Sequence, residues 1–207
     1  MAIFLGGNQI TSIKLGDADV LSVALGDNLV WQGGVTPTGV FALKFTNPGS
    51  SSVDLFILKQ GSPTVNLTND DFEMSTDGGD TWTTPSGDSS QPVRQEIQAG
   101  QEILLRRKGS GYLSDSSGYY QLAANGLLLV SGPIRAMLGD SDATAPHEVS
   151  SNCFRDFFAG SYLSAELDFG GITSAQSGAF YNFNSYNVST LTVKNLENDL
   201  SAEPNSF

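Results

Sequence analysis

Leu15-Gly16-Asp17-Ala18-Asp19-Val20-Leu21-Ser22-Val23-Ala24-Leu25-Gly26-Asp27 decides how this chain is organised. The Leu-Gly-Asp phrase recurs at an interval of ten residues, and Leu5-Gly6-Gly7 is an earlier copy. A β-branched residue follows each Leu by five positions, at Ile10, Val20 and Val30, and the first two copies add Ser12-Ile13 and Ser22-Val23. Gly-Asp or Gly-Gly followed by Ala or Asn is turn chemistry, and the residues between alternate apolar with polar. Each unit therefore predicts a short strand and a tight turn. Strands this short and few cannot bury a core alone, and the segment holds no cysteine to staple it. Protein must complete it, so residues 1–32 are expected to be an attachment and assembly module. Leu5, Ile10, Ile13, Leu15, Val20, Val23, Leu25, Val30 and Trp31 are expected to carry the assembly.

The remaining composition suits a turn-rich β protein: 39% apolar, 15% charged and 23 glycines. A net charge of −12 argues against nucleic acid or an anionic membrane as partner. No run approaches the roughly 20 apolar residues of a membrane span, and Met1-Ala2-Ile3-Phe4 lacks the basic start of a secretory signal. The lone Cys153, beside Phe154 and Phe157, reads as a small buried hydrophobe rather than part of a disulfide framework.

Gln32-Gly33-Gly34-Val35-Thr36-Pro37-Thr38-Gly39 has linker composition, placing a linker at 33–39. Residues 40–138 then offer candidate strands at Phe41–Phe45, Val53–Leu58, Phe72–Ser75, Glu96–Ile97, Glu102–Arg106 and Leu127–Val130. Their spacing and the lack of a helical period predict a small β-sandwich. From 139 to 207 the pattern changes. Cys153-Phe154-Arg155-Asp156-Phe157 recurs as Ala179-Phe180-Tyr181-Asn182-Phe183, Ser161-Tyr162 as Ser185-Tyr186, Leu167 and Phe169 as Leu191 and Val193, and Ile172 as Leu196. An offset of 24 to 26 residues falls in the leucine-rich-repeat range. Such a repeat would put each aromatic pair on a short helical turn and each Leu-x-hydrophobic pair on a strand. The fold class expected is mainly β: a short-strand module, β-prism-like in an oligomer, then a β-sandwich, then a short α/β solenoid.

Catalytic and ligand motifs are sparse. Ser75-x-Asp77-x-Gly79-x-x-Trp82 fits the Asp-box of sialidases, but one copy stands for a hairpin whose Asp bonds turn amides while the Trp packs beneath. The acids at Asp70-Asp71 and Asp77 to Asp80 lack a calcium-loop pattern. His147 has no second ligand at zinc spacing and no nucleophile-elbow serine, and Gly109-Ser110-Gly111 lacks the context of a phosphate loop. Arg106-Arg107-Lys108 reads as an anion contact or the solvated end of a strand. Tyr112, Tyr119, Tyr120, Tyr162, Tyr181 and Tyr186 are either sugar-stacking rings or repeat core. No catalytic residue, metal or cofactor is expected.

Ile10-x-x-Ile13-x-Leu15-Gly16-Asp17 and Val20-x-x-Val23-x-Leu25-Gly26-Asp27-x-Leu29-Val30-Trp31 resemble the N-terminal module of tailed-phage virion proteins. Phe72-x-x-Ser75-Thr76-Asp77-Gly78-Gly79-x-Thr81-Trp82, with Ala99-Gly100-x-x-Ile103-x-Leu105-Arg106, resembles the β-domain that follows it there. The Phe154 and Phe180 units resemble BspA-like leucine-rich repeats, although the second copy lacks the Cys and the Pro-Glu-Leu-Pro run. The resemblance implies a non-enzymatic virion protein of tail or baseplate, a trimer bound to other virion proteins, with a distal surface for host glycan or protein. A head fibre or capsid decoration protein, a bacterial BspA-like surface adhesin and a glycan-processing enzyme are the alternatives.

Overall fold

The computed structural model describes residues 40–110, 112–140, 147–159, 163–184 (Leu163 by its backbone) and 190–195, together with the backbone of six short strands before residue 33. The chain divides into two compact units, Met1–Val40 and Phe41–Phe207. It is mainly β, with no α-helix among the described residues. The linker expected at 33–39 lies outside the described residues.

In the first unit, β1 (Phe4–Leu5) pairs with β2 (Asn8–Gln9), β3 (Ile13–Leu15) with β4 (Ala18–Val20), and β5 (Ser22–Leu25) with β6 (Asn28–Gln32), all antiparallel. Leu5 faces Asn8, Leu15 faces Ala18 and Leu25 faces Asn28, and in sequence Gly6-Gly7, Gly16-Asp17 and Gly26-Asp27 lie between these paired positions.

The second unit is built on two larger sheets. A six-stranded sheet runs in the order β18 (Thr190–Lys194), β16 (Leu163–Asp168), β13 (Leu128–Pro133), β7 (Leu43–Thr46), β11 (Glu102–Arg107), β9 (Phe72–Ser75). A four-stranded sheet runs β10 (Val93–Ile97), β8 (Val53–Gly61), β12 (Gly118–Ala124), β15 (Phe158–Ala159). Alternate residues of both enter one core: Leu43 and Phe45 from β7, Leu55 and Ile57 from β8, Ile103 and Leu105 from β11, Tyr120 and Leu122 from β12. The period of two puts Lys44, Thr46, Glu102, Leu104 and Arg106 on the opposite, solvent-facing side. A 3-10 turn, Ile134–Leu138, is wholly buried and closes one end. It stops at Gly139, whose φ of 79° is left-handed and whose Cβ, if present, would lie 2.2 Å from the Gly109 carbonyl oxygen.

The sheets continue past residue 138. β13 pairs parallel with β16, and β16 parallel with β18. β14 (His147–Val149) pairs parallel with β17 (Ile172–Ala175), and β12 with β15. The described strands between residues 147 and 194 thus share sheets and core with residues 40–138. The chain passes twice along the same path: β14, a turn, β15 and β16, then β17, a turn and β18.

Two expectations about this region are corrected. First, the ladder pairs Ala165 with Leu191 and Leu167 with Val193, so Leu167 does not correspond to Leu191. The parallel ladder holds the offset of the aromatic pairs through the strand, and the sequence match at 24 residues was a coincidence of residue type. Second, the aromatic pairs sit on hydrogen-bonded turns, not on helical ones. Phe154 N donates to Ala179 O, Asp156 N to Tyr181 O and Phe158 N to Phe183 O, so these amides are spent on the neighbouring pass. Asn152, Asp156 and Asn182 adopt positive φ, as does Gly178, which breaks any helical run at matching places in both passes. Phe154 stacks on Phe180 at 5.5 Å and 8°, and Phe157 on Phe183 at 6.0 Å and 19°.

Candidate functional site

The residues expected to carry assembly fall on the first unit's strands, apart from Ile10, which lies outside the described residues. Backbone register brings Ile13 opposite Val20 and Val23 opposite Trp31. The pairing then skips Val30, since Ala24 faces Leu29, and a bulge stands at that point. Each hairpin pairs only with itself among the described residues, giving three sheets of two strands. A two-stranded hairpin is at best marginal in water, and each retains two strand edges with backbone donors and acceptors to offer.

In the second unit the Ser75–Trp82 motif folds as a hairpin, with Met74 and Thr83 exchanging backbone hydrogen bonds at 2.8 Å. Ser75 Oγ donates to Asp77 Oδ1 at 2.7 Å and accepts from Gly79 N at 2.8 Å. The other bonds to the Asp77 carboxylate come from Thr81, whose amide donates at 2.9 Å and whose hydroxyl reaches the second oxygen. Hydrogen bonds from the Thr81 side chain, the Thr81 amide and the Ser75 hydroxyl hold the Asp77 carboxyl far below the usual carboxylate range. Both its oxygens are occupied in fixing the turn. Trp82 donates Nε1 to Gly79 O at 3.0 Å, and its ring carries the Arg106 guanidinium 3.8 Å from the centroid. Arg106 in turn binds Glu73 Oε2 at 2.8 Å. The ring packs under a cation on the outer sheet face, not into the core.

The basic run splits by strand alternation. Arg106 points outward, Arg107 points inward and is buried near Asp71, Cys153 and Tyr120, and Lys108 is exposed. Burial lowers the Arg107 pKa. Alternation thus sends the middle residue inside and leaves its two neighbours outside.

His147 Nδ1 lies 3.0 Å from Asp140 Oδ2, and the same oxygen accepts Arg135 Nε at 2.8 Å. Arg135 is 1% exposed, so Asp140 balances a buried charge and ties the end of the 3-10 turn to the start of β14. Sequence reading missed this trio, because six residues separate Asp140 from His147 and no motif links the three. Cys153 is buried, and desolvation pushes its thiol up to about 11, the condition of an inert packing residue. Tyr112 and Tyr181 are exposed, Tyr119 is half-buried, Tyr120 is in the core, and Tyr162 and Tyr186 lie outside the described residues. Among the described residues no three His, Cys, Asp or Glu side chains cluster as a metal site, and no helix is long and apolar enough to cross a membrane.

No protein family, curated protein or solved structure matches this chain.

Proposed function

We propose that this protein is a non-enzymatic structural component of a tailed-phage virion, held in the tail or baseplate through residues 1–32. Three short hairpins, spanning 4–9, 13–20 and 22–32, that pair only with themselves among the described residues carry this reading. Their sequence is apolar enough to need cover, yet the hairpins are too small to cover themselves. Sister subunits, three in the reading we favour, would supply the missing neighbours and close the strand edges into a β-prism. The second unit, a β-sandwich extended by two leucine-rich-repeat-like passes, would stand outward as the host-facing surface. Its rigidity suits that role, because the aromatic ladder and the Asp77 hairpin spend their polar groups internally.

The test is deletion of residues 1–32. The second unit has its own core and is expected to fold. Light scattering should then find the full chain oligomeric and the truncated chain monomeric, and purified particles should lack the truncated protein. Normal incorporation of the truncated chain would remove the proposal.

A further inference from the structure

Asn125-Gly126, the one Asn-Gly dipeptide in the chain, lies between β12 and β13 with Asn125 exposed and Gly126 half-buried. Gly126 puts no side chain beside the Asn125 side-chain carbon, and its amide makes no backbone hydrogen bond among the described residues. Asn125 itself is held from one direction by a single residue. The Asp54 backbone N–H donates to Asn125 Oδ1 at 2.8 Å, and Asn125 Nδ2 donates to Asp54 Oδ2 at 3.1 Å. Asn125 N completes the contact by donating to Asp54 O at 3.2 Å.

We propose that this turn is a site of spontaneous, Asp54-assisted deamidation. The Gly126 amide gives up its proton to water or hydroxide, and its nitrogen attacks the Asn125 side-chain carbon. The charge that builds on Oδ1 meets the Asp54 N–H already aimed at it, as an oxyanion does in a preorganised donor site. The bond from that carbon to Nδ2 then breaks. Nitrogen leaves as ammonia after taking a proton from water, and the Asp54 carboxylate stabilises the ammonium-like group as it forms. Water opens the resulting cyclic imide to aspartate or isoaspartate. Aspartate places a carboxylate oxygen where Nδ2 had been donating, so two like charges face each other at the edge of the β8–β12 pairing, while isoaspartate carries the main chain through the former side-chain carbon and frees the α-carboxylate.

The contrast within the chain is Asp77-Gly78, the one Asp-Gly dipeptide. Its carboxylate is fixed by Ser75 and Thr81 and kept ionised, and an ionised carboxylate is a poor electrophile.

Full-length protein held at mildly alkaline pH and sampled over time by peptide mass mapping tests this. Asn125 is expected to convert ahead of every other asparagine, with isoaspartate detected at that position. Asp54→Ala keeps the backbone donor and removes the carboxylate. It is expected to slow conversion about tenfold, equivalent to about 1.4 kcal/mol on the barrier. Circular dichroism of the variant verifies that the fold is retained. Conversion elsewhere first, or an Asp54→Ala rate equal to or above that of the parent, would overturn the proposal, the latter because it would make Asp54 a lock on the amide rather than an assistant.

Discussion

Phe154→Ala asks how firmly the two parallel passes are bonded to the sheets. Phe154 is fully buried and meets Phe157 edge-on at 5.3 Å, Phe180 face to face at 5.5 Å and Phe183 edge-on at 6.1 Å. Truncating a buried Phe to Ala costs about 3–5 kcal/mol, of which the cavity left by incomplete collapse is a large part. Collapse is hindered here, because the ring's neighbours are themselves rings locked in a ladder; the upper half of that range is expected. With a urea slope of roughly 2 kcal/mol per molar, a loss of about 4 kcal/mol moves the midpoint down by about 2 M. Phe154→Leu keeps most of the volume and loses the ring geometry. Its expected cost is about 1–2 kcal/mol, from a conservative swap plus the aromatic pair energy. Urea unfolding of full-length protein, followed both by far-ultraviolet circular dichroism and by tryptophan fluorescence, reads these shifts. Because β13–β16 and β12–β15 join the passes to the sheets, circular dichroism is expected to give one transition for the second unit. A Phe154→Ala shift below about 0.5 M, or a separate early transition confined to part of that unit, would refute the reasoning from shared strands.

Tyr120→Phe removes a buried hydroxyl that accepts from Leu67 N at 2.7 Å and donates to Val65 O at 2.9 Å. Two backbone groups are orphaned, and a loss of about 2–3 kcal/mol is expected in the same urea assay. Gly139→Ala combines left-handed φ with a Cβ that collides with the Gly109 carbonyl; it should cost at least about 2 kcal/mol, read as a lowered melting temperature. Acid titration should expose the hydrogen-bonded carboxylates. Asp115 is held at about 2 by Thr64, Ser117 and Gly118, and Asp77 lies lower still. Their depressed values contribute stability that is present above the unfolded carboxylate range near 4 and lost as pH falls through about 2 for Asp115. Asp115→Asn is therefore expected to flatten the stability profile between those limits and leave its shape at neutral pH unchanged, as followed by melting temperature against pH.

Legibility in the sequence followed alternation. β9 coincides with its expected span, and β8, β11 and β13 lie within a few residues of theirs, because each buries one face and wets the other. β12, at the centre of the four-stranded sheet, went unread. Gly118, Tyr120, Gln121, Leu122 and Ala123 are all buried, so the period of two that marks a half-wet strand is missing there. The aromatic repeat was visible as spacing, but its strand register was not. A ladder counts backbone positions and is indifferent to whether Ala165 or Leu167 looks more like Leu191. Arg107 shows the same limit in charge: a basic triplet reads as one surface feature, while strand alternation sends its middle member into the interior.

The hairpin module makes a sharper statement than its composition does. β4 ends at Val20 and β5 begins at Ser22, so Leu21 alone joins them. The shortest common antiparallel connection needs two loop residues, so a one-residue spacing in sequence disfavours direct antiparallel pairing of β4 with β5. The pairing agrees, since neither hairpin recruits the other among the described residues. On the proposed reading, other chains would widen these two-stranded sheets and cover the apolar residues at Ile13, Val20, Val23 and Trp31 by the same route. Folding of the module would then be a mass-action process, with stability that rises with protein concentration. Hydrogen exchange of full-length protein over a dilution series is expected to show protection in the module falling with dilution, while protection in β7, β8 and β11 stays constant. Concentration-independent protection down to a demonstrably monomeric protein would show that the module needs no partner, and the short Leu21 link would then say nothing about where its cover comes from.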